Sequence, residues 1–401
     1  MDPLAQTRQS ESTASNTFRL TAEPPVFTRG EGPFLFTADG ARYVDLVCGS
    51  ATTSLGHGHP AHLAAIESVL RSGILHTGTR LPSAPRAALY AKVQTHLPSH
   101  LSAIHLANSG AEAVETAIKA AMHVTGRRHF IAFEGGYHGR TLGALALTHA
   151  EHLRVPFEPW AAPWVSFAPY AATDAQAAAA LEALEKLLGN TPPCAALVIE
   201  AVQGVAGVLG PSTVFLQGVQ RLAHAHGALL ILDEIWSGLG RSGRWFAHEL
   251  ADLEPDLVVL GKSLSASLPL SAVAGRPEVL QSWKPGTHTS TFQGNPAACA
   301  AAVATLETLE SEALAQRAET TLAPMVLEAF KDRTVRVVGA QSALELGSPE
   351  AAIEVQKQAL AEGILVYGSG SCLMLLPPLN IPEQVFAETL SRLRPLVPDP
   401  D

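Results

Sequence analysis

Apolar residues return every third or fourth position through Pro60–Arg71 and Ala87–Leu97. In contrast, Ile104–Ala107, His129–Phe133, Ala195–Glu200, Ala228–Leu232 and Leu257–Leu260 are short apolar runs bounded by Gly, Pro or Asn. The first pattern predicts amphipathic helices and the second buried strands, because runs of four to six residues are too short for helices of their own. Strands alternating with helices from about residue 60 predict an α/β fold, a parallel sheet covered by helices on both faces. In such sheets the ligand site lies at the carboxyl ends of the strands.

The two ends of the chain read differently. Residues 1–20 are polar and without periodicity, which predicts a flexible arm. The stretch PFLFTADGARYVDLVCG predicts two short strands joined at Asp39-Gly40, a hairpin turn signal. Beyond residue 295 the pattern predicts a helix from Pro296, a strand at Val335–Val338, and a helix Pro349–Glu362 stopped by Gly363. A strand Ile364–Tyr367 and a helix after Pro382 complete a smaller α+β unit. Ala172–Leu188 predicts a surface helix, since its apolar positions recur at helical spacing. The expected division is an arm (1–20), an N-terminal element (21–59), a large ligand-binding unit (60–295) and a C-terminal unit (296–401).

The chain has 401 residues, 47% hydrophobic and 16% charged, which supplies a core and excludes a disordered chain. Lys and Arg number 27 against 37 Asp and Glu, a net charge of −10 with no dense basic run. That balance argues against nucleic acid or an anionic membrane surface as partner and for a small molecule. Ala201–Gln220, the most apolar uncharged stretch, is interrupted by Gln203, Gly204, Gly207, Gly210, Pro211 and Gln217, too broken for a membrane span. Cys48, Cys194, Cys299 and Cys372 are scattered singly and read as reduced thiols, and the polar start is no signal peptide; a cytoplasmic protein is expected.

Four segments carry candidate chemistry. Asn108-Ser109-Gly110-Ala111-Glu112-Ala113 follows a strand and opens a helix, so free N–H groups and the Ser109 hydroxyl could seat a phosphate; a plain N-cap is the other reading. Glu134-Gly135-Gly136-Tyr137-His138-Gly139-Arg140 offers close backbone approach, a flat ring and a cation, or is simply a loop. Asp233 stands at the tip of a buried strand, where a carboxylate is costly unless a cation or donor meets it; a protonated pyridine nitrogen is one such partner, and a helix N-cap the alternative. Lys262 ends another apolar strand, where desolvation lowers a lysine toward nucleophilic amine chemistry, unless it snorkels to the surface. In order on one α/β unit, these four match what a pyridoxal phosphate site needs.

With these motifs, Gly238-Leu239-Gly240-Arg241-Ser242-Gly243 and Ser290-Thr291-Phe292-Gln293-Gly294-Asn295-Pro296, the chain from about Phe34 to Leu379 resembles the class III aminotransferases of the aspartate aminotransferase fold. The resemblance implies fold type I, a large, mostly parallel seven-stranded domain and a smaller α+β domain built from both chain ends. It implies an internal aldimine at Lys262, which would also shuttle the α-proton, and Asp233 paired with the pyridinium nitrogen. Ile235 and Tyr137 would flank the ring; Ser109, Gly110 and Ala111 would hold the phosphate; His138 and Gln203 would lie beside the cofactor. Arg140 would meet the substrate carboxylate, with Ser50, Val205, Trp236 and Met374 also facing substrate. Thr291 would reach across a homodimer interface to complete its neighbour's phosphate cup.

The sequence departs from the family where members using glutamate or 2-oxoglutarate carry a Glu and an Arg: those positions are Val205 and Met374. Removing one partner of a buried ion pair costs roughly 3–5 kcal/mol, whereas replacing both by apolar residues can be neutral. The double change therefore predicts an apolar pocket wall and a substrate group that is hydrophobic or neutral there. Trp236 stands where the family often has Gln, and Ser265-Ala266-Ser267 replaces a glycine run. The expected activity is amino transfer between an amino acid or amine and a 2-oxo acid; the alternative is a racemase, epimerase or aminomutase, which needs no second substrate. No metal is expected, since His57-Gly58-His59 and His224-Ala225-His226 lack further ligands at suitable spacing. Gly238–Gly243 spells a dinucleotide fingerprint, but Asp233 and Glu234 separate it from the strand. A non-catalytic binding role would leave the strand-end lysine without a purpose.

Overall fold

A computed structural model describes residues 2–157, 164–210 and 212–398. Pro211, one of the residues interrupting the apolar stretch 201–220, lies outside them. Strands are numbered in chain order: β1 (Phe27–Glu31), β2 (Phe34–Thr37), β3 (Arg42–Asp45), β4 (Ala103–Ala107), β5 (His129–Phe133), β6 (Val165–Ala168), β7 (Cys194–Ile199), β8 (Leu229–Asp233), β9 (Leu257–Leu260) and β10 (Ser271–Gly275). The C-terminal part adds β11 (Val335–Val338), β12 (Gln341–Glu345), β13 (Ile364–Leu365), β14 (Tyr367–Ser369) and β15 (Cys372–Leu375).

Seven strands form the central sheet in the order β4-β10-β9-β8-β7-β5-β6. From β6 to β9 all neighbours are parallel, while β10 runs antiparallel to both β9 and β4. The sheet is thus mostly parallel, with one reversed strand that the alternation of patterns did not predict. Its strands alternate between two cores: Leu230, Leu232, Val258 and Leu260 join one apolar cluster, Ile231, Leu257 and Val259 the other. Successive side chains point to opposite faces, so a strand buried on both sides must read as an unbroken apolar run. The helix Gly110–Thr125 covers one face through Ala113, Val114, Ala117 and Ile118. Helices Asp174–Asn190 and Thr213–Ala225 cover the other, burying Ala177, Leu184, Phe215 and Val219.

The chain ends form two further sheets. β1, β2 and β3 are antiparallel, with the β2–β3 turn at Asp39-Gly40, and β13 adds to β3 in parallel. The second has the order β11-β12-β15-β14. The segment expected as one strand over 364–367 is therefore split at Val366, its two halves serving different sheets. The N-terminal arm also differs from expectation: Pro3–Ser10 is helical, because Asp2 accepts a hydrogen bond from the Leu4 N–H and Pro3 pre-sets the first turn. Ala84–Gln94 begins three residues before the expected Ala87, after Ser83, again with a proline in its first turn. Among the described residues no helix is long and apolar enough to cross a membrane.

Candidate active site

The loops leaving β4, β5, β7, β8 and β9 at their carboxyl ends converge on one cavity of about 320 Å³. Gly110 and Ala111 reach it from the start of the helix Gly110–Thr125, and Tyr137, His138, Gly139 and Arg140 from the loop after β5. Glu200 and Val205 come from the segment after β7, Asp233, Ile235 and Trp236 from β8 and its exit, and Lys262 from just past β9.

Ser109 caps the helix: its hydroxyl accepts from the Glu112 N–H at 3.2 Å, and Glu112 Oε2 accepts from the Asn108 and Ser109 N–H groups at 2.7 and 3.2 Å. The plain N-cap reading thus holds, and it leaves the hydroxyl proton free to donate to an anion. Gly110 is required by close approach, since a Cβ there would fall 2.8 Å from Ile235 Cδ1.

Asp233 Oδ2 meets His138 Nδ1 at 2.8 Å, and Oδ1 accepts from the Ile235 N–H at 3.0 Å. Burial opposes a charge on His138, but Asp233, with help from Glu200, holds its pKa above the ordinary value. Its Nε2 is buried without a partner. Glu200 accepts from the Tyr137 N–H at 2.9 Å and the Gly204 N–H at 3.1 Å. Burial pushes its pKa up to about 7, with Asp233 adding to the rise and His138 opposing it. Lys262 lies with its Nζ 4.5 Å from the centre of the Trp236 ring and with φ +40°, a left-handed conformation costly for a lysine. Burial lowers its pKa, against the pull of Asp233 and Glu200. Strain and desolvation at one lysine in a cavity mark a functional site.

Arg140 is exposed at the cavity mouth, its Nε donating to the Tyr137 hydroxyl at 3.2 Å. Ser109, Gln203, Ser50, Met374 and Thr291 do not line the cavity, Ser109 being the exposed cap residue just before Gly110. Gln203 is fully buried, its Nε2 donating to the Glu134 carbonyl at 2.8 Å while Oε1 has no partner. Ser50 sits in a left-handed turn, Cys48–Ala51, and borders a separate cavity of about 290 Å³ with Leu20 and Tyr367. Met374 is fully buried in β15. Thr291 lies near Thr77–Leu81, where His76 Nε2 donates to its carbonyl at 2.7 Å. Glu200 was missed as a site residue, although the sign that singled out Asp233, a carboxylate ending an apolar strand, is present there too.

Other residues weighed for chemistry have structural partners. His57 Nε2 meets Asp45 at 3.0 Å and His224 Nε2 meets Asp256 at 3.0 Å. Glu234, beside the glycine-rich turn, accepts from the Ala247 and His248 N–H groups at 2.5 and 2.9 Å and meets His248 Nδ1 at 2.7 Å.

A family profile described as aminotransferase class-III matches residues 19–397. This chain belongs to the class-III aminotransferases. The aminotransferase is 39% identical over 375 residues to an acetylornithine aminotransferase of Methanopyrus kandleri, covering 92% of this chain and 93% of that protein. It is 35% identical over 399 residues to a 2-aminoadipate transaminase of Pseudomonas putida, covering 92% and 95%. Among solved structures it matches the ornithine aminotransferase of Toxoplasma gondii, described with PLP at its active site, with a TM-score of 0.83 and 30% identity, covering 98% of this chain and 93% of that one. The fold is therefore fold type I and the enzyme a pyridoxal phosphate-dependent aminotransferase, acting on an amino donor and an oxo acid. These relatives lend the racemase, epimerase or aminomutase alternative no support.

The residues present suit that cofactor. An acid, Asp233, the first residues of a capped helix, Gly110 and Ala111, the side chains of Tyr137 and Ile235, and Lys262 all line one cavity. The buried His138 Nε2 and Trp236 Nε1 are polar atoms of cavity-lining residues that have no partner among the described residues.

Proposed function

We propose that this aminotransferase takes an amino acid or amine whose side group is apolar or neutral where it meets Val205, and passes the amino group to a 2-oxo acid. The observation that carries the reading is Val205 on the cavity wall while Met374 is sealed in the sheet behind it. Relatives named for acetylornithine and 2-aminoadipate support an amino-acid donor.

When bound, pyridoxal phosphate supplies a ring that draws off the electron pair left on the carbon carrying the amine. The protein's residues divide the remaining work. Asp233, oriented by His138, would meet the ring nitrogen; Ser109, Gly110 and Ala111 would hold the phosphate; Tyr137 and Ile235, which line the cavity, would shield the ring from water; Gln203, outside the cavity lining, would act through the Glu134 carbonyl that it binds. Lys262, desolvated and so readily neutral, serves as nucleophile and then carries the proton at its Nζ. Arg140 would receive the substrate carboxylate and Trp236 would narrow the space beside it; Ser50, which borders a separate cavity, takes no part within this chain's own site.

The reading extends to assembly. Ile74, Leu75, Leu81 and Phe292 are exposed apolar side chains, Leu81 and Phe292 at 63% and 64%, in the segments next to Thr291, and Leu63 and Leu70 are exposed on the preceding helix Pro60–Ser72. A homodimer that covers them would bring Thr291 to its neighbour's phosphate seat. Residues 60–295 then act as the cofactor domain, with 21–59 and 296–401 as the smaller domain. Four buried, unpaired cysteines suit a reducing cytoplasm.

The test is a half-reaction with the loaded enzyme, single-enantiomer amino acids and ω-amines, and no oxo acid. One equivalent of carbonyl product per site, with sustained turnover only after a 2-oxo acid is added, is expected. Inversion of an amino acid over many turnovers without acceptor overturns the reading. Borohydride reduction should fix the pyridoxyl group on the peptide containing Lys262, and Lys262→Ala should abolish that label.

A further inference from the structure

The segment after β7 that carries Val205 is gripped from outside by the C-terminal sheet. Arg336 on β11 donates through Nε to the Gly207 carbonyl at 2.6 Å, while its Nη2 reaches Glu345 at 3.3 Å and the Cys372 sulfur at 3.0 Å. Ser369 on β14 donates its hydroxyl to the Val205 carbonyl at 2.6 Å. Arg336, Ala343, Met374 and Tyr367 stand in one cross-strand row, and Glu345 pairs with Cys372 in a parallel row. Residues opposite one another in register share a face, so the guanidinium and its two partners leave the sheet on the same side as Met374.

The gripped segment is itself held in a constrained form. Gln203 and Leu209 exchange backbone hydrogen bonds at 3.2 and 3.1 Å, and Val208 has φ +51°. Gly207 has φ +97°, and a Cβ on it would lie 2.7 Å from Arg336 Nη2 and 2.9 Å from the Cys372 sulfur, so only glycine admits the guanidinium. A β-branched residue with positive φ is expensive and persists only where its surroundings fix it.

We infer that Arg336 and Ser369 are positioning residues that set how far the Val205 wall stands into the cavity, and so discriminate substrates by the bulk of the group lodged there. The inference rests on the proposed function in taking Val205 as the wall that receives substrate. Both contacts hold main-chain carbonyls, so side chain 205 can be apolar and still be placed. A charge-assisted bond from a guanidinium anchored by Glu345 is strong and directional, and the Ser369 bond fixes a second point, which removes rotation about the first.

The experiment uses the cofactor-loaded enzyme and its Arg336→Met, Arg336→Lys and Ser369→Ala variants. Hydrogen exchange is followed by mass spectrometry over residues 203–209, and kcat/KM is measured for a small and a bulky amine donor. In Arg336→Met and Ser369→Ala the amides of 203–209 should exchange faster. The bulky-to-small kcat/KM ratio should rise roughly tenfold, the size of one charge-assisted hydrogen bond, with kcat for the small donor retained. Arg336→Lys, which keeps a donor but not the fork, should recover part of both effects. Unchanged exchange overturns the grip, and faster exchange with an unchanged donor ratio overturns its role in selectivity. If Arg336→Met does not fold, Ser369→Ala, which removes one hydroxyl, decides. Should the unaltered enzyme turn over neither donor, the functional reading fails, and exchange alone then decides the grip.

Discussion

Glu200 shows how burial and two backbone bonds can act against each other on one side chain. The Tyr137 and Gly204 N–H groups favour the carboxylate, but burial outweighs them and the pKa rises to about 7. A carboxyl whose folded pKa is raised binds its proton more tightly in the folded state, so stability falls as pH rises from its ordinary range through 7. His138 adds in the same direction: its pKa is raised by Asp233, and the stability it lends is present below its ordinary value and fades as pH rises through the raised one. Urea unfolding of the cofactor-free protein should therefore show stability declining between pH 5 and 8, by an amount on the order of 3 kcal/mol for Glu200. Glu200→Gln should flatten that decline: near pH 5 it should cost about 1–3 kcal/mol relative to the unaltered protein, because one face of the amide now presents N–H to N–H, and this deficit should disappear toward pH 8, where the unaltered protein has lost the contribution of its protonated Glu200. A slope unchanged in Glu200→Gln would assign the pH dependence elsewhere. The same burial bears on catalysis, since Glu200 is one of the two acids that oppose the desolvation of Lys262.

At the scale of elements, the helix Gly110–Thr125 joins stability to cofactor binding through its first turn. Ser109→Ala should lower stability by about 1 kcal/mol through loss of the cap and should also weaken pyridoxal phosphate binding, since the same hydroxyl has a proton to donate. Gly110→Ala leaves the cap intact but drives a methyl group onto Ile235, so it should weaken cofactor binding with the smaller change in melting temperature. Equilibrium dialysis against pyridoxal phosphate, together with thermal unfolding of the cofactor-free variants, separates the two. Elements of this kind were legible in the sequence because they are long or doubly buried: β5, β7, β8 and β9 lie within a residue of the expected runs, and Asp233 and Lys262 stand at their ends. β10 was not legible. Its Ser-Ala-Val-Ala-Gly is fully buried on both faces with little apolar bulk, and nothing local marks it as the strand that runs against its neighbours. Nor was the split of 364–367 legible, because two sheets compete for one extended segment and only tertiary packing decides between them. Arg336 was invisible for a related reason, as its partners Gly207, Glu345 and Cys372 come from three separate parts of the chain.

For the whole molecule, the proposed role of Thr291 would make assembly a condition of activity. Within one chain it stands with Thr77–Leu81 and not at the cavity that holds Lys262, so its proposed hold on the phosphate can be exercised only on a second copy. Two damaged proteins should then repair each other. Lys262→Ala removes the nucleophile from its own site but keeps a sound Thr291 for its neighbour; Thr291→Asp keeps its own lysine but sets a carboxylate against the neighbour's phosphate. In a hybrid dimer, the site carrying the intact lysine receives the intact threonine, while the other site carries both lesions. Random reassortment makes half of the dimers hybrids, each with one whole site, so mixing equal amounts after dissociation should restore about a quarter of the activity of the unaltered enzyme. Either protein alone should remain near zero. If Thr291 acted within its own chain, every site in the hybrid would carry one lesion and mixing would restore nothing. The recovery is a test of geometry and not of folding, because each subunit supplies the residue the other has lost.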